Sequence, residues 1–139
     1  MTMEEKEEKK FQLLDYWLNN ISLKFEKAGL TNDIAKQLNL KDTLKRTIKK
    51  VDKNVAIVIL SFSLNSGEQS PVSLNIELCG KFECTDWETD EISKVLIKDN
   101  ASTILFPYLR HSISELTLIA GLPPLVLPIT NVVQLFNKK

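Results

Sequence analysis

The chain has 139 residues, enough for one domain with a modest core and short enough that oligomer contacts would add to its stability. Its 18 basic and 18 acidic residues cancel, so no overall field recruits nucleic acid, and a charged partner must be met by a local patch. The most apolar stretch, Ile104 to Pro128, is broken by Arg110, His111, Glu115 and several prolines, which argues against a membrane span.

Residues 1–10, MTMEEKEEKK, mix both charge signs and have nothing apolar to bury, so they read as a flexible tail rather than an export leader. A cytoplasmic protein is expected, with residues 11–139 as one domain. From Phe11 the odd positions Phe11, Leu13, Trp17, Ile21, Leu23 and Phe25 are apolar, the period-two pattern of a long strand. Leu14, Tyr16 and Leu18 make its first half apolar on the other face too, as at a subunit contact. Trp17 is expected in the core.

Between Lys27 and Lys50, Leu30, Ile34, Leu38, Leu40 and Leu44 recur near every fourth position after Thr31-Asn32-Asp33, suggesting a crossover with a short helical turn. Lys45-Arg46 and Lys49-Lys50 alternate with Thr47 and Ile48 and look like a solvated strand edge rather than a phosphate-binding patch. Val51 to Leu64 reads as an interior strand, Asn65 to Glu68 as a turn, and Val72 to Phe82 as its hairpin partner. Phe82, Cys84 and Trp87 suggest a last short strand.

Asp90 to Ala120 carries a helical pattern in which Leu105, Leu109, Ile113, Leu116 and Ala120 form one stripe that needs a partner surface. Pro107 lies inside it, so the helix is expected either to start near Thr103 or to bend there. Gly121 is placed as the C-cap, the prolines that follow keep the chain extended, and Asn131 can cap a short terminal helix over Val132 to Phe136. Cys79 and Cys84 read as two buried thiols, and with His111 the sole histidine they fall short of a zinc ligand set. His111 and Glu115 read as neighbours on a helix face, with no nucleophile beside them.

The run Ile104-Leu105-Phe106-Pro107-Tyr108-Leu109-Arg110, followed by Ile113-Ser114, Leu116, Gly121, Pro123-Pro124-Leu125, Leu127 and Asn131, resembles the signature stretch of SecB-type export chaperones. Phe11-Gln12, Ile21-Ser22, the region of Val55 and Leu135-Phe136 extend the likeness more loosely over nearly the whole chain. The resemblance implies an α+β fold: a four-stranded antiparallel sheet with one long helix packed on a face and a short C-terminal helix. First strands would pair between subunits, and two dimers would stack through their helices into a homotetramer. Leu14, Tyr16, Leu18, Leu105, Leu109, Ile113 and Leu116 would then form the oligomer interfaces.

What the resemblance implies for function is an ATP-independent holdase that binds unfolded chains or preproteins in apolar grooves, without a cofactor. Leu40, Leu44, Leu135 and Phe136 match the groove, with Leu30, Ile34 and Val132 as looser positions. Where export members are acidic on the sheet, this chain has Asn20, Lys24, Ser73 and Asn75, and it ends at Asn137-Lys138-Lys139 without their metal-binding tail. Delivery to the SecA motor is therefore doubtful. Holding an antitoxin, as SecB-like companions of toxin–antitoxin pairs do, is the alternative, and a protein-interaction adaptor is a further one. An enzyme finds no support, since no Ser-His-Asp arrangement, phosphate loop or metal spacing occurs.

Overall fold

The computed structural model describes residues 11–25, 43–65 and 72–137. The expected tail, the crossover helix and the Asn65 to Glu68 turn lie wholly or mostly outside them. Four strands, β1 (Phe11–Phe25), β2 (Leu44–Asp52), β3 (Val55–Asn65) and β4 (Val72–Cys84), form one antiparallel sheet in the order β1-β4-β3-β2. The expected α+β fold is present, with one correction to its strands, beyond Cys84. Lys45 to Lys50, read as a solvated strand edge, lies in a full edge strand, β2, so the expected crossover does not run on to Lys50; the inner face of β2 carries Leu44 and Ile48 beside Arg46 and Lys50. The segment after Cys84 is a turn rather than a strand. Trp87 N–H donates to the Lys53 carbonyl, its indole Nε1 donates to the Asp52 carbonyl at 2.9 Å, and Asp86 takes a left-handed φ of 52°.

Two bulges change how β1 presents its side chains. Register shifts fall between Leu13 and Asp15 and between Leu18 and Asn20, and each reverses the parity of the residues beyond it. Phe11 and Leu13 lie opposite Cys84 and Phe82; Tyr16 and Leu18 lie opposite Gly80 and Leu78; Ile21 and Leu23 lie opposite Ile76 and Leu74. Opposed residues share a face, so all of these point toward the helical layer. Trp17 lies opposite Cys79 and so stands on the outer face, not in the core beneath the helix.

The helical layer begins with α1 (Glu91–Val95), passes through a π-helical turn (Leu96–Asn100) and continues as α2 (Ala101–Ile119), 29 residues in all. Asp90 caps the start by accepting from the Ser93 amide at 2.9 Å, and the buried Ser93 hydroxyl donates to the Thr85 carbonyl, tying the helix to the end of β4. The helix does not start near Thr103; Pro107 sits inside α2 and is exposed, as is Thr103, so solvent reaches the carbonyl that the missing N–H leaves free. At the other end Gly121 has φ +91°, its N–H donates to the Leu118 carbonyl, and Leu122 N–H donates to the Thr117 carbonyl: the paired bonds of a Schellman cap.

The core lies between the inner sheet face and this helix. Phe62, Phe82, Leu60, Leu74 and Leu78 of the sheet meet Leu105, Leu109 and Ile113 of α2. Gly80 permits the close approach, because a Cβ there would lie 2.6 Å from Leu105 Cδ2. After the cap, an extended strap is pinned to α2 by Arg110 Nε donating to the Leu127 carbonyl at 2.7 Å and by Leu125 N–H donating to Thr117 Oγ1 at 2.9 Å. It leads into α3 (Val132–Asn137), where the Asn131 side chain accepts from the Gln134 amide as the expected cap.

Candidate functional site

Three surfaces expose chemistry that the core does not consume. The first lies where β2, the π-helical turn and α3 meet. Leu44 and Val132 are each 3% exposed and belong to the core cluster, so they form the floor here and are not open to a ligand as the sequence suggested. Leu135 and Phe136 are half-buried and pack against that cluster with part of their surface free. Leu30, Ile34 and Leu40 lie outside the described residues. Arg46 reaches over from β2: its Cζ sits 5.0 Å from the Phe136 ring centroid, and Nη1 donates to the Lys98 carbonyl at 2.7 Å. Asn137 Nδ2 donates to Asp99 Oδ1 at 3.1 Å, holding the end of α3 to the same turn. Burial pulls Arg46 below its ordinary range, and the nearby Asp99 carboxylate opposes that shift.

The alternation of β2 explains why the basic cluster is not one patch. Arg46 lies opposite Leu60 and Lys50 opposite Ala56, on the inner face, while Lys45 and Lys49 stand opposite Ser61 and Ile57 on the outer face. Lys50 is paired with Glu88 at 2.8 Å. Arg46 was hidden in the sequence because a strand edge rich in lysine looks merely solvated. The clue was its even register with Leu44 and Ile48.

The second surface joins the edge strand β1 to the outer side of the helix. Leu14, Tyr16, Leu18 and Ile21 are exposed, and Tyr16 packs on Tyr108 with ring centroids 4.5 Å apart. On α2 the large apolar residues left open are Ile104, Tyr108, Leu118 at 54% and Ile119 at 78% exposed. This corrects the sequence assignment of the stripe. Leu105, Leu109 and Ile113 are fully buried against their own sheet, and Leu116 is partly buried against the same core, so the apolar side chains available to another subunit are the neighbouring ones. An i, i+4 stripe states that a face is covered, not what covers it. Beside this surface, an open groove of about 600 Å³ runs between α2 and the strap, lined in part by Phe106, Pro107, Arg110 and Ile129.

The third is the outer sheet face, where Trp17, Ile57, Ile59 and Cys79 surround a shallow hollow of about 260 Å³ rimmed by Lys49 and Glu77. Cys79 and Cys84 are both buried, and the Cys84 thiol donates to the Ser93 carbonyl at 3.8 Å; burial, with Glu77, pushes the Cys79 thiol up against the opposing effect of Lys49. His111 and Glu115 are exposed on α2. Among the described residues no group of three His, Cys, Asp or Glu side chains is placed to hold a metal ion, and no helix is long and apolar enough to cross a membrane.

Residues 4–139 match the family described as preprotein translocase subunit SecB. The chain belongs to the SecB family. Among its relatives is an uncharacterized protein of Methanocaldococcus jannaschii, MJ0357, 32% identical over 124 residues that cover 86% of this chain and 73% of that one. The protein-export protein SecB of Xanthomonas campestris is 25% identical over 119 residues, covering 84% of this chain and 69% of its own length. The SecB-like chaperone Rv1957 of Mycobacterium tuberculosis, solved in complex with a ChAD peptide from the HigA1 antitoxin Rv1956, shares the fold with a TM-score of 0.63 at 22% identity, over 86% of this chain and 87% of that one. SecB membership thus accounts for both the sheet-and-helix arrangement and the signature run from Ile104 to Asn131.

Proposed function

We propose that this SecB-family chain is an ATP-independent holdase that binds non-native polypeptide in a groove walled by β2, the π-helical turn and α3, with Leu135 and Phe136 as its open apolar residues. The observation that carries the reading is the family match over residues 4–139 on a fold that leaves these side chains half-open. Apolar surface shielded in common with a client yields about 25 cal/mol per Å², so weak contacts add without any catalytic group. An extended client segment can also pair with the backbone edge of β2 that faces away from β3, which pairs with no other described strand.

Assembly belongs to the same reading. The edge of β1 that pairs with no described strand, with Leu14, Tyr16 and Leu18, is suited to pairing with a second β1, and Ile104, Tyr108, Leu118 and Ile119 replace the buried stripe as the face on which two dimers stack. Several grooves on one homotetramer would hold one long client by avidity. The site of action in this reading is the cytoplasm.

The test is dilution of two unrelated denatured proteins into buffer without nucleotide. A holdase keeps both from scattering light, and an adaptor or enzyme does not. A dedicated antitoxin holder is the second reading, favoured by the peptide bound to the Mycobacterium tuberculosis relative and by Asn20, Lys24, Ser73 and Asn75 standing on the sheet in place of a uniformly acidic face. Recovery of one antitoxin and no exported precursor in a pull-down selects it over preprotein holding.

A further inference from the structure

On the inner face of β2 two cations stand among the apolar residues, and Glu88 engages one of them, Lys50. Arg46 is the other. It spans three elements: rooted in β2, bonded to the Lys98 carbonyl of the π-helical turn, and laid over the Phe136 ring of α3. A guanidinium has five N–H donors in a planar fork that matches a carboxylate, and among the described residues its hydrogen bond to Lys98 engages Nη1. Asp99 is the described carboxylate that acts on Arg46, and it also accepts from Asn137. A half-buried cation beside a half-buried aromatic ring favours an incoming side chain of opposite charge and repels one of like charge, because partial desolvation strengthens both effects.

Resting on the holdase reading, we propose that Arg46 is a specificity-determining residue of the groove: it selects extended client segments in which an apolar side chain, seated against Leu135 and Phe136, is flanked by Asp or Glu. The client carboxylate takes donors of the guanidinium other than the one bonded to Lys98, while the Phe136 ring keeps the cation in place.

The experiment uses the full chain and three fluorescein-labelled peptides built on one Leu- and Phe-containing extended sequence, flanked by Glu, Ser or Lys, with anisotropy as the readout. The wild type is expected to bind the Glu-flanked peptide about fivefold tighter than the Lys-flanked one at low salt, with the ratio shrinking as salt rises. Arg46→Gln should bring that ratio to about one. Asp99→Asn, which keeps an acceptor for Asn137 but removes the competing charge, should raise it. A wild-type ratio of one or below overturns the proposal, as does a ratio that survives Arg46→Gln in a folded variant. Should the Gln variant fail to fold, an unchanged ratio in Asp99→Asn overturns it instead. Failure of all three peptides to bind the wild type is a different result, which removes the holding function itself.

Discussion

Gly80 sets how closely the helix approaches the sheet. A methyl group there would meet both Leu105 methyls, at 2.6 and 2.9 Å, and the Phe82 ring at 2.9 Å. Leu105 and Phe82 are fully enclosed, so neither can swing aside, and relief of the clash requires the helix to lift. Gly80→Ala is therefore expected to destabilise by about 1–3 kcal/mol, although alanine is ordinarily the better strand residue. A urea midpoint shift measures it. Leu109, equally enclosed on the same face, is expected to cost about 2–5 kcal/mol on truncation to Ala through lost burial and the cavity left behind. Its assembly mass should stay that of the wild type, which distinguishes a core residue from an interface residue.

Among the elements, β1 shows how far the sequence can be read. Its span from Phe11 to Phe25 is legible from apolar alternation, but its faces are not. Nothing at Leu14 or Asn19 marks a bulge, since neither is glycine, yet each shift turns the following side chains over and carries Trp17 to the outer face. β2 is obscured for the opposite reason: an edge strand needs few apolar residues, and Leu44 falls in step with the leucines before it. The long helix, its Gly121 cap and the short α3 with its Asn131 cap are legible because caps and prolines carry local signals, whereas the Asp90 cap emerges from the structure. The family signature locates the groove region but not its charge, because Arg46 acquires meaning only when Phe136 and the π-helical turn arrive beside it.

The exposed side of the helix, where Ile104, Tyr108, Leu118 and Ile119 flank His111 and Glu115, makes a prediction for that element. Leu118 and Ile119 are exposed, so Leu118→Glu with Ile119→Glu should leave the far-ultraviolet spectrum and the monomer fold intact while halving the assembly mass measured by light scattering. An unchanged mass would remove this end of α2 from the subunit contact.

At the scale of the whole molecule, the proposed function gives one sheet-and-helix unit two tasks. The core lies between the inner sheet face and the helix; on that proposal β1 and the exposed side of α2 would serve self-association, and the opposite edge of the sheet would serve clients. That division predicts that damage to one edge spares the other. Leu135→Asp with Phe136→Asp should abolish client holding while retaining the native mass, because both side chains are half-buried on the rim rather than in its floor. Native mass measurement of the full chain mixed with a permanently unfolded protein, without nucleotide, tests the central claim most directly. The wild-type oligomer should carry the unfolded chain and the Leu135→Asp, Phe136→Asp oligomer of equal mass should not; a bare wild-type oligomer, or a variant that holds the chain equally well, would contradict the account.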